Sequence, residues 1–251
     1  MSTSLADIYT PNGTRSLAVA MRGGMAYLRL PVRTRRITEK DDLFALLKEY
    51  VAAHIKPSDI VFVSEKIVAL TQGRIVRIAD VKTSALARFL SRRVRNNVGT
   101  EKFRGYGHGT APAMQLLIDE AGVPRVLFAA AVAALTRPLG IRGAFYFLIG
   151  KRAKSVDCPM SFDIEPYTHC AKRPPLNPPG VARAIRDLLG VDAVIVDANY
   201  IGAFSLGKSN RKISESFIRA LLKDNPAGQA DEMTPFLIIR RNDDSLAESG
   251  T

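Results

Sequence analysis

Short apolar runs of strand type interleave with helical patterns along this chain, and their irregular order limits the fold more than any other sequence feature. Residues 59–63 and 193–196 are compact β-branched runs, whereas the apolar residues within 43–51 and 181–189 recur at helical spacing. The order follows no repeating βαβ period, and the chain has no internal repeat. We therefore predict an α+β fold with mixed sheets and flanking helices rather than a barrel.

The chain has 251 residues, enough for one large domain or two small ones. We predict a single domain over residues 1–241 and a flexible tail over residues 242–251. The domain could consist of two intertwined subdomains. Further strands are predicted at 74–78, 143–150 and 236–239, and further helices at 84–94, 111–120 and 217–222.

The chain is strongly basic, because 36 Lys and Arg against 24 Asp and Glu give a net charge of +12. Such a balance favours anionic partners: a nucleic acid, a nucleotide or an anionic membrane surface. Trp is absent and no basic run is interleaved with aromatic residues, so nucleic acid is disfavoured. The densest stretch, residues 88–104, has six basic residues and one acid, and fits either a solvated helix face or an anion-binding patch.

Neither a membrane span nor a disulfide framework is expected. The most apolar segment, residues 126–135, covers about half a bilayer crossing, so we predict no membrane partner. Cys158 and Cys170 are too few for a disulfide scaffold, and no signal peptide opens the chain, which favours a cytoplasmic protein. His169 beside Cys170 is a weak zinc signal.

Carboxylates and amides stand at the ends of predicted elements, where side chains are exposed but held in place. Such oxygen ligands suit Mg²⁺ or Mn²⁺, and an ion of this kind commonly bridges nucleotide phosphates. The alternative is that Asp197 caps a turn and that the acids near residue 230 are only solvated. The candidates are Asp157, Asp197, Asn199, Gln229, Asp231 and Glu232.

Residues 59–76 read DIVFVSEKIVALTQGRIV, which resembles the opening motif of the coenzyme F420-0:L-glutamate ligase (gamma-glutamyl ligase) family. Further similarities follow in order: SVD at 155–157, PLNP at 175–178 and VIVD at 194–197. Residues 228–235 occupy the place of that family's Gly- and Glu-rich segment before the closing strand. The resemblance spans about residues 30–240.

The resemblance implies a gamma-glutamyl ligase scaffold, a homodimer, and an enzyme that uses GTP and Mg²⁺ or Mn²⁺. Such an enzyme joins glutamate to a carboxylate through an acyl phosphate. By the same resemblance, Asp157 and Asp197 hold the metal with Gln229 or Glu232, and Lys66 and Asp197 are catalytic. The nucleotide would contact Lys66, Gly73, Arg74 and Asn199. The net charge agrees, because nucleotide, acceptor and glutamate are all anions.

Two motifs differ from that family and keep other functions open. Residues 69–72 read ALTQ in place of Ser-Lys-Ala-Glu, and after Asp197 the first Arg is Arg211. The first alternative is a relative that binds nucleotide and metal without turnover. The second, supported only by the charge, is a nucleic-acid-binding protein whose affinity would fall steeply with salt.

Overall fold

The computed structural model describes residues 9–21, 25–94, 108–160, 165–199, 202–228 and 232–242. Two compact units are formed, one from the described residues up to Gln72 and from Leu176 onward, the other from Gly73–Pro175. We call them the sheet unit and the helical unit. Both contain helices and strands, which confirms the predicted α+β class.

The sheet unit is built on six strands in the order β1-β2-β8-β3-β6-β7. Strands β3 and β6 are parallel, with Ser64 opposite Val196, and the other neighbours are antiparallel. The sheet is therefore mixed, as predicted. Its strands are β1 (Ala18–Ala20), β2 (Ala26–Val32), β3 (Ile60–Ser64), β6 (Asp192–Asn199), β7 (Gly202–Lys208) and β8 (Phe236–Asn242).

Four helices pack in the described part of this unit: α1 (Leu43–Tyr50), α2 (Glu65–Thr71), α7 (Pro178–Leu189) and α8 (Glu215–Leu221). Three of them begin at a side-chain cap that accepts from a first-turn amide, namely Asp42, Asn177 and Ser214. The central strands are apolar on both faces, because helices and loops cover both. One core cluster contains Phe62, Val194, Ile218, Leu221, Leu237 and Ile239.

Strand β7 passes directly under the start of α7. A Cβ on Gly207 would lie 2.3 Å from the carbonyl carbon of Pro178, closer than real Cβ contacts come. Only glycine fits there, which explains a glycine inside a strand. We did not predict β7, because its buried positions alternate among Gly, Ala and Ser rather than large apolar residues.

The helical unit contains a two-stranded antiparallel sheet, β4 (Ile75–Arg77) with β5 (Cys170–Lys172). Its described helices are α3 (Ala85–Ser91), α4 (Ala111–Ala121), α5 (Val123–Thr136) and α6 (Ala144–Lys154). They share a core that includes Leu90, Met114, Leu117, Val126 and Ile149.

The strand predicted at residues 143–150 is wrong, because this segment forms most of α6. Its aromatic run favours a strand by propensity, yet residues 144–149 form helical turns and Ile149 is buried in the core shared with α4 and α5. Tertiary packing therefore decides the conformation. Gly150 interrupts the helix with φ 87° and ψ 163°.

Some predictions fall outside the described residues. These are Gln229, Asp231, residues 95–104 of the basic stretch and residues 243–251 of the tail. Asn242, placed by prediction in the tail, pairs with Ala26 and closes β8. No helix in the described ranges is long and apolar enough to cross a membrane.

Candidate functional site

The sheet unit brings Lys66 and Asp197 to one edge of its sheet. Lys66 lies in the first turn of α2, two residues beyond the end of β3, and Asp197 follows Val196 on the neighbouring parallel strand. Both residues are half-buried. The β3–β6 register therefore places the predicted catalytic lysine and carboxylate at the carboxyl ends of adjacent strands, where sheet proteins often bind ligands. Asn199 closes β6 at the same edge, its backbone opposite Gly202.

The segment before β8 reaches the same edge. The amide of Ser64 donates to the carbonyl of Pro235 at 2.9 Å, and the amide of Thr34 donates to that of Met233 at 2.8 Å. Glu232 folds its carboxylate over Gly228, where a Cβ would lie 2.1 Å from its Cδ. Arg15 lies 3.5 Å from that carboxylate. Glu232, a predicted metal ligand, is half-buried in this segment.

Buried polar side chains that sequence reasoning missed hold this segment. The Asn12 amide donates to the Pro226 carbonyl at 2.9 Å and to the Thr234 hydroxyl at 2.8 Å, while Thr234 donates to the Ala227 carbonyl. Asn225 donates to the Gly228 carbonyl at 2.9 Å. No local pattern had indicated this network in the sequence, because the bonds of the Asn12 amide join residues more than 200 positions apart.

Glu65 is a second residue that sequence reasoning did not single out as part of the site. It is buried, with 2% exposure, although it precedes Lys66 in the first turn of α2. A buried carboxylate at the end of a central strand is uncommon for glutamate. It adds a carboxylate to the edge that already carries Lys66 and Asp197.

The helical unit holds Asp157 beside a buried lysine. Asp157 and Lys172 exchange both backbone hydrogen bonds, at 3.0 and 2.8 Å, and extend the small sheet. Lys172 is fully buried, and its ammonium donates to the Ser155 carbonyl at 2.6 Å. Burying a cation costs free energy unless it is paired, and Lys172 is buried beside the predicted metal ligand Asp157. Lys172 is therefore a further candidate functional residue. No motif in the sequence had marked it.

His108 lies in the same region and is buried beside Tyr146, with ring centroids 5.5 Å apart. Burial lowers the pKa of His108 to about 4; Lys154 and Lys172 also lower it, and Asp157 raises it. Its Nε2 has no hydrogen-bond partner among the described residues. The imidazole is therefore neutral at pH 7.

Acid should destabilise the protein through His108. The unfolded imidazole titrates near its ordinary pKa of 6.5, so stability is fully present above that pH and falls as pH drops toward about 4. The loss attributable to His108 should reach about 3 kcal/mol. Urea unfolding at pH 7 and pH 5 should show a smaller acid loss in His108→Gln. His169→Gln, an exposed site in the same unit, is the control, and an unchanged acid loss in His108→Gln would contradict the role.

Arg74, a predicted nucleotide ligand, is held inside the helical unit. Its Nε donates to the Pro174 carbonyl at 3.0 Å and its Nη2 to Glu120 at 2.5 Å. Arg173 and Arg152 bind the same carboxylate at 2.7 and 3.1 Å, and the Glu120 side chain is only 4% exposed. Gly73 precedes Arg74 with φ +64° and open space beside it. A nucleotide role for these two residues stays a prediction.

The remaining candidates are the two cysteines and the residues predicted to hold metal. Cys158 and Cys170 are buried, and burial raises the pKa of the Cys158 thiol to about 11, so this thiol is protonated at neutral pH. Among the described residues, no three His, Cys, Asp or Glu side chains lie close enough to hold a metal. Gln229 and Asp231 lie outside those residues.

In the basic stretch, two of the described arginines bond locally. Arg88 donates to the Thr83 carbonyl and Arg93 to the Phe89 carbonyl, and Arg93 also lies over the Phe89 ring at 3.5 Å. These contacts are typical of a helix surface, as one of the two sequence readings proposed.

The motif at 175–178 shapes the start of α7. Asn177 adopts φ 44° and caps the helix through the Gly180 amide at 3.2 Å. The Gln72 side chain binds both backbone groups of Leu176, accepting from its amide at 2.7 Å and donating to its carbonyl at 3.1 Å. The end of α2 and the start of α7 are thereby tied together.

Comparison with known proteins identifies the family. A search of curated proteins found no match. The family model described as F420-0:Gamma-glutamyl ligase matches residues 31–221, about three quarters of the chain. That range includes Lys66, Asp157 and Asp197, together with strands β3 and β6. The chain therefore belongs to the F420-0:gamma-glutamyl ligase family.

Proposed function

We propose that this protein is a nucleotide- and metal-dependent ligase that joins an amino acid to a carboxylate through an acyl phosphate. The observation that carries the proposal is the placement of Lys66 and Asp197 at adjacent strand ends within the range of the family match. A carboxylate is a poor electrophile until it is phosphorylated. Phosphoryl transfer in turn requires positive charge beside the reacting phosphates.

The reaction would proceed in two balanced steps. A carboxylate oxygen of the acceptor attacks the γ-phosphorus of GTP, the bond to the bridging oxygen breaks, and GDP leaves. The amino group of glutamate then attacks the acyl carbon, the carbon–oxygen bond to phosphate breaks, and the amine releases a proton. Lys66 would offset the charge of the phosphates during the first step.

The residues at the sheet edge suit a hard divalent cation. Carboxylate oxygens are the ligands that Mg²⁺ and Mn²⁺ prefer, and Asp197 and Glu232 present them at the same edge. These two would hold the ion, with Gln229 as the further ligand that the family resemblance implies. When bound, the ion would neutralise charge on the nucleotide phosphates.

The decisive experiment incubates the purified protein with GTP, Mn²⁺ or Mg²⁺, glutamate and coenzyme F420-0. We expect GDP release and an acceptor one glutamyl residue heavier by mass spectrometry, both lost when GTP or metal is omitted. Lys66→Met should weaken GTP binding about 10- to 100-fold, because a charge-assisted hydrogen bond contributes about 1.5–3 kcal/mol. Lys48→Met, on the exposed face of α1, is the matched control.

The possible outcomes separate the candidate functions. Binding of GTP and metal without product for any acceptor would identify a non-catalytic relative. Absence of both binding and product would contradict the proposal. Light scattering on the same preparation would measure whether the chain is a homodimer, which the family resemblance implies.

A further inference from the structure

The helical unit exposes an unusual amount of large apolar side chain between residues 123 and 147. Of the eleven exposed large hydrophobic residues in the described chain, seven lie in this segment. Phe128, Leu135, Leu139 and Phe147 expose 60%, 74%, 76% and 85% of their surfaces. Isolated exposed hydrophobics are ordinary, but such a concentration indicates a surface that contacts something apolar.

Helix α5 is apolar on both sides, and only one side faces the core. Val126 and Ala129 are buried against α4 and α6. At 100° per residue, Leu127, Phe128 and Leu135 fall on the opposite side, which is exposed. The packing of the helical unit therefore does not account for the second apolar face.

The turn between α5 and α6 is ordered and presents apolar and basic side chains together. The Leu139 and Ile141 amides both donate to the Thr136 carbonyl, at 3.1 and 3.2 Å. This fixed turn holds the exposed side chains of Leu139 and Ile141 between exposed Arg137 and Arg142.

The charge of the segment has one sign. Residues 121–156 contain six Lys and Arg and no Asp or Glu. Arg125 donates to the Leu148 carbonyl and Arg152 to Glu120, so these two are engaged within the unit. Arg137 and Arg142, at the turn, are exposed beside the apolar surface. The partner of this surface must therefore accept apolar side chains and carry negative charge at its rim.

From this combination we infer that α5 and the turn that follows it dock on the surface of an anionic lipid bilayer. Leu139, Ile141 and the outer face of α5 enter the interface, and Arg137 and Arg142 bind lipid phosphates. A second copy of the same segment fits less well, because residues 121–156 contain no Asp or Glu to pair with these arginines. At 14 residues, or about 21 Å, α5 is too short to span a core of about 30 Å, so it lies in the surface.

This inference differs from the sequence prediction of no membrane partner, which considered only a span. Sedimentation with lipid vesicles tests it. The full chain should bind vesicles of equal parts phosphatidylcholine and phosphatidylglycerol and should not bind pure phosphatidylcholine. The double variant Arg137→Gln/Arg142→Gln should bind about 30-fold more weakly, since each charge near the surface contributes about 1 kcal/mol. Leu135→Ser/Leu139→Ser should lose at least about tenfold.

Matched variants in the sheet unit provide the controls. Arg183→Gln/Arg219→Gln removes the same charge from exposed sites, and Leu176→Ser removes an exposed leucine, so both should bind like the wild type. If the control variants lost as much vesicle binding as the test variants, the effect would not be specific to this segment, and the inference would be overturned. So would absence of vesicle binding, or a dimer that the Leu135→Ser/Leu139→Ser variant dissociates. Far-ultraviolet circular dichroism confirms that each variant is folded.

Discussion

Asp197→Asn should lower the rate of ligation by about 10²- to 10³-fold while the protein stays folded. The carboxylate lies one position beyond the last β3–β6 pair, at the edge that carries Lys66 and Glu232. The amide has nearly the same shape but lacks the negative charge that the proposed divalent cation requires. Loss of metal-assisted charge stabilisation removes several kcal/mol from the transition state. Steady-state kcat/KM with GTP and acceptor, and metal affinity by calorimetry, measure the change.

The control is Asp187→Asn in α7, which removes the same charge from a side chain that is 69% exposed and paired with its neighbour Arg186. Surface pairs of this kind contribute little, so activity and stability should both hold. If Asp197→Asn retained wild-type kcat/KM and metal affinity, Asp197 would have no part in the site. A parallel loss of melting temperature in Asp197→Asn would indicate a structural role instead.

Glu120→Ala should destabilise the protein by about 3 kcal/mol. The carboxylate is nearly inaccessible and binds three arginines, so its removal leaves their positive charges facing one another without a counterion. Breaking a buried ion pair by removing one partner typically costs about 3–5 kcal/mol. We expect the lower end of that range, because Arg152 and Arg173 are partly exposed and water can solvate them.

Thermal unfolding measures this effect, and the expected fall in melting temperature is about 6–12 °C for a chain of this size. Asp119→Ala is the matched control, since Asp119 is the adjacent residue of α4 but is exposed. The free energy of unfolding of Asp119→Ala should stay within about 0.5 kcal/mol of the wild-type value. Glu120→Gln, which keeps an acceptor but loses the charge, should fall between the two. Equal melting temperatures for Glu120→Ala and Asp119→Ala would show that the three arginines do not need this carboxylate.

The sequence predicted the elements whose local signals agree with their packing. β-branched runs predicted β3 and β6, and apolar residues at helical spacing predicted α1 and α7. The sequence did not predict β7, whose small residues reflect the close approach of Pro178, or α6, whose aromatic run packs as a helix. In both segments, packing against residues distant in sequence determines the conformation. No local sequence pattern indicates that packing.

The residues of the candidate site likewise fall into those that the sequence predicted and those that it did not. Lys66 and Asp197 could be named because each follows a recognisable strand and matches a family motif. Lys172, Glu65 and Glu120 could not be named, because single charged residues carry no signal until the chain is folded. The arginines around Glu120 lie 32 to 53 positions away from it. Such pairings depend on the topology of the fold, and the order of elements along the chain did not determine that topology.

The double hydrogen bond between Gln72 and Leu176 bears on how the chain is assembled. These residues flank the helical unit, and the Gln72 side chain holds the two flanks together within the sheet unit. The helical unit is therefore an insertion into the sheet unit. The chain leaves the sheet unit and re-enters it at adjacent positions. Insertions at such closed points cost the host little, because the entropy of joining the ends rises only slowly with the length of the loop. Residues 73–175 could thus be exchanged or shortened in evolution while β3 and β6, which position Lys66 and Asp197, kept their pairing.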